Sequence, residues 1–206
     1  MTKVKICGIT SEDDALMAVD AGADALGFVF FDKSPRFIGA AAAQKIIAKL
    51  PPFIQVVGLF VNADIDVVNS TADCCGLDII QLHGEESPEY CRLVNRRVMK
   101  AFRVRGPESL TPLAEYHVSA YLLDAYSPNA YGGTGEVFDW ECAITAKGQG
   151  RIVLAGGLTP DNIAEAVTRV RPYGVDVSSG VEASPGKKDP GKVRRFIQLA
   201  KHPHPV

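Results

Sequence analysis

Four side chains that can move or hold a proton stand at or near the ends of short apolar runs. Cys7 follows residues 4–6, His83 follows 79–82, Asp124 follows 120–123, and Asp176 lies within 174–178. A thiolate can act as a base or a nucleophile. A carboxyl can deliver a proton or hold a hydroxyl, and an imidazole can relay a proton or orient a neighbour. Side chains alternate along an extended strand. Lys5 with Cys7, Gln81 with His83, and Asp176 with Ser178 therefore share faces, and Asp124 shares one with Leu122. If those faces turn inward, a cysteine, a histidine and two aspartates meet. Each residue also has a plainer reading: Cys7 as a small buried hydrophobe, His83 as a loop histidine, Asp124 as a helix cap. A second chemical signal is glycine-rich. Ala155-Gly156-Gly157-Leu158-Thr159-Pro160 and Ser178-Ser179-Gly180-Val181-Glu182 each follow an apolar run and offer backbone N–H groups to a phosphate, or else are tight turns.

The elements that must place these residues repeat. Apolar, β-branched runs fall at 4–6, 25–30, 54–60, 79–82, 98–102, 120–123, 152–155 and 175–177, at roughly 25-residue spacing. Helix-start signals lie between them: Thr10 with Asp13 as a capping box, and Ser87-Pro88, Thr159-Pro160 and Asp189-Pro190 as a cap followed by proline at the first helical position. Ala43, Ile46, Ile47 and Leu50, and again Val193, Phe196, Ile197 and Ala200, make one apolar stripe each. Eight β-then-α units predict an α/β fold, either a closed barrel or an open doubly wound sheet. The Gly156-Gly157 pair after the seventh run favours the barrel, and the lack of GxGxxG after the first disfavours the open sheet. A single (β/α)8 (TIM) barrel spanning residues 1–206 is therefore expected. The fifth helix, at about 107–116, is weakly patterned and contains Pro112.

Composition narrows the function classes. The chain has 206 residues, 47% hydrophobic and 22% charged, with a formal net charge of −2. That is a globular composition without the basic stripe that nucleic acid requires. No apolar run is long enough to span a membrane. Gly186-Lys187-Lys188 reads as a solvated loop. The five cysteines are odd in number and lack metal-binding spacing, which suits reduced thiols in a cytoplasmic protein. The Gly132-Gly133-Thr134-Gly135 stretch, in a long connection, reads as a substrate-covering loop.

Taken together, Lys5-Ile6-Cys7-Gly8-Ile9-Thr10, Gly27-Phe28-Val29-Phe30 with Ser34-Pro35-Arg36, Gln81-Leu82-His83-Gly84, Leu123-Asp124, Gly132-Gly133-Thr134-Gly135, Leu154-Ala155-Gly156-Gly157-Leu158 and Asp176-Val177-Ser178-Ser179-Gly180-Val181-Glu182 resemble the motifs of phosphoribosylanthranilate isomerases, in family order. The resemblance implies an Amadori rearrangement of N-(5′-phosphoribosyl)anthranilate in tryptophan biosynthesis. It implies no metal or organic cofactor, and a monomer or homodimer whose partner is the small phosphoribosyl substrate. It makes Cys7 the general base and Asp124 the general acid, and puts Arg36 on the anthranilate carboxylate. Asp176 would hold a ribose hydroxyl, Gln81 and His83 would line the pocket, and Gly156, Gly157, Ser178, Ser179 and Gly180 would hold the phosphate. Lys5, on the face of Cys7, would favour the thiolate. Two rivals share the fold: the histidine-pathway isomerase, which has an aspartate where Cys7 stands, and a non-catalytic phosphosugar-binding barrel, which would need neither Cys7 nor Asp124.

Overall fold

The structure is a computed structural model and describes residues 1–125 and 140–203. All eight apolar runs form parallel strands: β1 (Lys3–Cys7), β2 (Ala25–Val29), β3 (Gln55–Phe60), β4 (Ile79–Leu82), β5 (Arg97–Val104), β6 (Ala120–Ala125), β7 (Ile152–Leu154) and β8 (Gly174–Val177). Each pairs with the next, and β8 pairs back onto β1 with Lys5 beside Asp176, so the sheet closes into the expected barrel. Between the strands run α1 (Glu12–Asp20), α2 (Ala40–Ile47), α3 (Ile65–Cys75), α4 (Pro88–Leu93), α5 (Trp140–Ala146) and α6 (Ile163–Val170), and α7 (Pro190–Lys201) follows the last strand. The fifth connection winds as a 3₁₀ segment, Pro107–Glu115, with Pro112 inside it; a proline there has no N–H to sustain an α-helical ladder.

Strand alternation divides the interior in two. Val4, Ile6, Leu26, Phe28, Ile80 and Leu82 face outward and join Ala15, Ala18, Val68, Ala72, Val193 and Phe196 in one apolar layer between sheet and helices. Val57, Met99, Ala101, Ala120, Leu122, Val153 and Ala155 form a second cluster. This second set alternates with the first along the strands and so fills the barrel itself. Above that plug the inward positions turn polar.

The helix starts show where local signals were and were not sufficient. Ser87 and Asp189 cap α4 and α7 as expected. For α1 the cap is Ser11, whose Oγ accepts from Asp14 N at 3.2 Å; Thr10 instead donates to the Gly186 carbonyl at 2.6 Å. Thr159-Pro160 does not open α6. It lies in a turn closed by Asn162, which accepts from Thr159 N at 2.8 Å and donates to the Gly157 carbonyl at 2.9 Å, and the helix begins at Ile163. The segment after β8 is not solvated throughout. β9 (Glu182–Ser184) and β10 (Lys187–Lys188) form an antiparallel hairpin, and Lys188 is buried, because its ammonium reaches back to Glu182. Residues 132–135 lie outside the described residues. Among the described residues no helix is long and apolar enough to cross a membrane.

Leu122 is fully buried within the barrel plug. Leu122→Ala should lower unfolding stability by about 2–5 kcal/mol, read from urea unfolding with an unchanged slope. A loss below about 1 kcal/mol would mean that the plug is loosely packed.

Candidate active site

The carboxyl ends of the strands surround a cavity of about 690 Å³, counting its open mouth. Its walls include Cys7, Arg36, Gln81, His83, Asp124, Gly156, Gly157, Asp176, Ser178, Ser179 and Gly180, whereas Lys5 is not among the lining residues. The polar side chains meet there because β1, β4, β6 and β8 each carry an inward-facing polar residue at or next to the last position: Cys7, Gln81, Asp124 and Asp176.

Cys7 is buried beside an ion pair. Lys5 Nζ lies 2.9 Å from Asp176 Oδ1, and both side chains are more than nine-tenths buried. Burial pushes the Cys7 thiol above its ordinary range, Lys5 opposes that shift and Asp176 adds to it. Burial also works against the charge on Lys5, but Asp176 and Cys7 outweigh it and hold the ammonium above its usual range. The arrangement depends on Gly27 in the neighbouring strand. A Cβ added there would lie 2.8 Å from both Cys7 Sγ and Lys5 Nζ, so only glycine leaves the two side chains room.

Asp124 is the penultimate residue of β6, a strand residue rather than a helix cap. Its Oδ2 is 3.1 Å from His83 Nε2, and His83 Nδ1 is 2.9 Å from Gln81 Nε2. Gly156 packs over this carboxylate in the left-handed conformation (φ 78°). A Cβ at that position would stand 2.2 Å from Ala125 N and 2.7 Å from Asp124 Oδ1.

The two glycine-rich loops adjoin. Ser179–Val181 makes one 3₁₀ turn, too short to contribute a helix dipole, so any phosphate would be held mainly by local N–H and hydroxyl donors. Two pocket atoms, Gln81 Oε1 and Ser178 Oγ, are buried and have no hydrogen-bond partner among the described residues. Unpaired buried polar atoms call for an explanation, and ligand contact supplies one.

Arg36 reaches the pocket but is not a free fork. Its Nε and Nη2 each lie 2.8 Å from a carboxylate oxygen of Glu182, leaving Nη1 outside that pair. Lys188 Nζ binds the same carboxylate at 2.8 Å and donates to the Ser178 carbonyl at 3.3 Å. Burial would raise the Glu182 carboxyl, yet its bonds to Arg36 and Lys188 prevail and hold it below the ordinary range. Burial pulls the Lys188 ammonium below its usual value, against the attraction of Glu182. The sequence reading named neither residue as part of the site. Glu182 could have been suspected from its place at the end of the second glycine-rich loop, whereas Lys188 carries no local signal. Among the described residues no group of three or more His, Cys, Asp or Glu side chains is arranged to hold a metal ion.

The family model for N-(5′-phosphoribosyl)anthranilate isomerase matches residues 4–199. The chain belongs to that family. The isomerase of Citrifermentans bemidjiense is 76% identical over 201 residues, covering 98% of each chain. The crystal structure of phosphoribosyl anthranilate isomerase from Thermotoga maritima superposes with a TM-score of 0.91 at 42% identity, covering 98% of this chain and 99% of that one. A phosphoribosyl anthranilate isomerase in complex with reduced 1-(o-carboxyphenylamino)-1-deoxyribulose 5-phosphate does so at 0.88 and 41%, with the same coverage.

The lowered Glu182 carboxyl has a consequence for stability. A carboxyl that ionises more readily when folded leaves the unfolded chain binding more protons, so stability rises with pH. Its contribution should be complete above the unfolded glutamate range, near pH 4.3, and be lost as pH falls through the lower folded value. Urea midpoints of Glu182→Gln should therefore fall less steeply with acidification than those of the unsubstituted chain. Parallel curves would show that Glu182 carries no pH-linked stability.

Proposed function

We propose that this isomerase converts N-(5′-phosphoribosyl)anthranilate into 1-(2-carboxyphenylamino)-1-deoxyribulose 5-phosphate, the Amadori step of tryptophan biosynthesis, with Asp124 as acid and Cys7 as base. The observation that carries this reading is that a buried thiol on β1 and a buried carboxyl on β6 line one cavity beside two glycine-rich loops. Opening the furanose requires a proton on the ring oxygen as the C1′–O bond breaks and the anilino nitrogen donates its electron pair. Asp124 supplies that proton. The resulting imine acidifies C2′–H, Cys7 thiolate removes that proton, and the enamine so formed tautomerises to the ketose. Asp124 loses one proton and Cys7 gains one, and exchange with solvent resets both; within the substrate C1′ is reduced as C2′ is oxidised, so no electrons leave or enter.

The neighbouring groups divide the remaining work. Lys5 partly offsets the burial that disfavours the thiolate. Asp176, with Oδ1 taken by Lys5, holds a ribose hydroxyl through its other oxygen. Gly156, Gly157, Ser178, Ser179 and Gly180 receive the phosphate. Arg36, braced by Glu182, meets the anthranilate carboxylate with its remaining donors. Every pocket residue comes from a single barrel, which we take as one domain, so the site is complete in a monomer or in each half of a homodimer. A base that must be a reduced thiol suits the cytoplasm.

Cys7→Ala and Asp124→Asn should each lower kcat at least about 100-fold with KM little changed, followed by the loss of substrate fluorescence. A loss below about tenfold in either would remove that residue from its role. Lys5→Met deprives the thiolate of its neighbouring cation, so the rising limb of activity with pH should move upward. An unshifted limb would exclude electrostatic tuning by Lys5.

A further inference from the structure

Beside the acid lies a chain of hydrogen bonds with a direction. Gln81 is fully buried, and its amide has one partner, His83 Nδ1 at 2.9 Å. The amide nitrogen faces that ring nitrogen and donates to it, leaving Oε1 as the unpaired atom. The reverse orientation would bury an NH2 group without an acceptor, and an orphaned donor is rarer and less favourable than an orphaned acceptor. A neutral imidazole that accepts at Nδ1 carries its proton on Nε2. Nε2 lies 3.1 Å from Asp124 Oδ2 and donates to it. An oxygen that already receives an N–H is a poor place for the carboxyl's own proton.

We propose that Gln81 and His83 are positioning residues forming a directional relay that confines the acid proton of Asp124 to Oδ1. That is the oxygen against which Gly156 packs, at the junction with the first glycine-rich loop. The inference rests on the reading of Asp124 as the acid. The relay moves no proton during the reaction; it sets which oxygen holds one. The loop carrying His83 is fixed from outside the pocket: Glu86 accepts from Gly84 N and Asn62 N, and the buried Lys100 donates to both Glu86 and the Gly84 carbonyl. Other charged groups near Asp124 are Arg103, its register neighbour on β5, which is paired with Glu85, and the Lys5–Asp176 pair with Cys7 on β1 and β8.

The relay is tested by the tautomer of His83. In the ¹⁵N-labelled full chain, with the His83 resonances assigned by loss in His83→Asn, Nε2 should be protonated and Nδ1 bare at neutral pH. Gln81→Glu places a carboxylate beside Nδ1 and draws a proton onto it. The ring then becomes cationic, which keeps Asp124 ionised, or takes the other tautomer, whose bare Nε2 draws the acid proton onto Oδ2. Either way kcat should fall at least about tenfold; the alkaline limb of kcat should move to lower pH if the ring is cationic and to higher pH if it takes the other tautomer, so an unmoved limb counts against the relay. Gln81→Met, a poorer match in shape, should cost less than Gln81→Glu. A protonated Nδ1 in the unsubstituted chain, or a larger loss in Gln81→Met than in Gln81→Glu, would overturn the relay while leaving Asp124 as the acid. An active Asp124→Asn would instead overturn the reading on which the relay rests. The tautomer measurement needs no substitution at position 81, so it decides the matter even if both variants fail to fold.

Discussion

The β1–β8 ladder is the constraint from which the site follows. Closing the sheet puts Lys5 beside Asp176, turns Cys7 toward the barrel axis and brings the two glycine-rich loops together. Three ionisable groups are thereby buried in one small region. Such burial is tolerable only if the charges are paired, because an isolated ion in a low-dielectric interior costs several kcal/mol. The Lys5–Asp176 pair meets that condition and leaves a residual positive influence on the thiol. Gly27 contributes by what it lacks, since the next strand must carry no side chain where the sulfur and the ammonium lie.

A second charged cluster performs a different task. Glu182 holds Arg36 from one side and Lys188 from the other, and Lys188 also reaches the Ser178 carbonyl. The hairpin after β8 thus links the cation expected to meet the aromatic carboxylate to the loop expected to meet the phosphate. These two substrate groups lie at opposite ends of the molecule being rearranged, and the distance between their binding points determines where the sugar sits against Cys7 and Asp124. A brace of buried charges is suited to that purpose, because its geometry is stiffer than that of a solvent-exposed arginine.

Much of this was legible in the sequence because it is local. Strand periodicity located all eight strands, and polar residues at strand ends located the pocket. The closed sheet over the open one followed from where glycines fell. What was not legible depends on contacts between distant segments. Thr10 looks like a cap, but its hydroxyl is used by Gly186, 176 positions away, and Ser11 takes the cap. Thr159-Pro160 has the form of a helix start, yet Asn162 closes a turn there instead. Lys188 sits in a run of charged and small residues that reads as solvated, and only the fold reveals the buried carboxylate it meets. The bidentate partner of Arg36, Glu182, lies 146 positions away and is invisible for the same reason. The family resemblance supplied the roles of Cys7 and Asp124, which spacing alone left open.

The central claim is that a thiol and a carboxyl address two different atoms of one anchored sugar. A crystal structure of this chain with reduced 1-(o-carboxyphenylamino)-1-deoxyribulose 5-phosphate tests it most directly. Cys7 Sγ should contact C2′, Asp124 Oδ1 should meet the C4′ oxygen that closes the ring in the substrate, and the phosphate should lie between the Gly156-Gly157 and Ser179-Gly180 loops. A ligand bound with its phosphate elsewhere, or with C2′ out of reach of the sulfur, would contradict it.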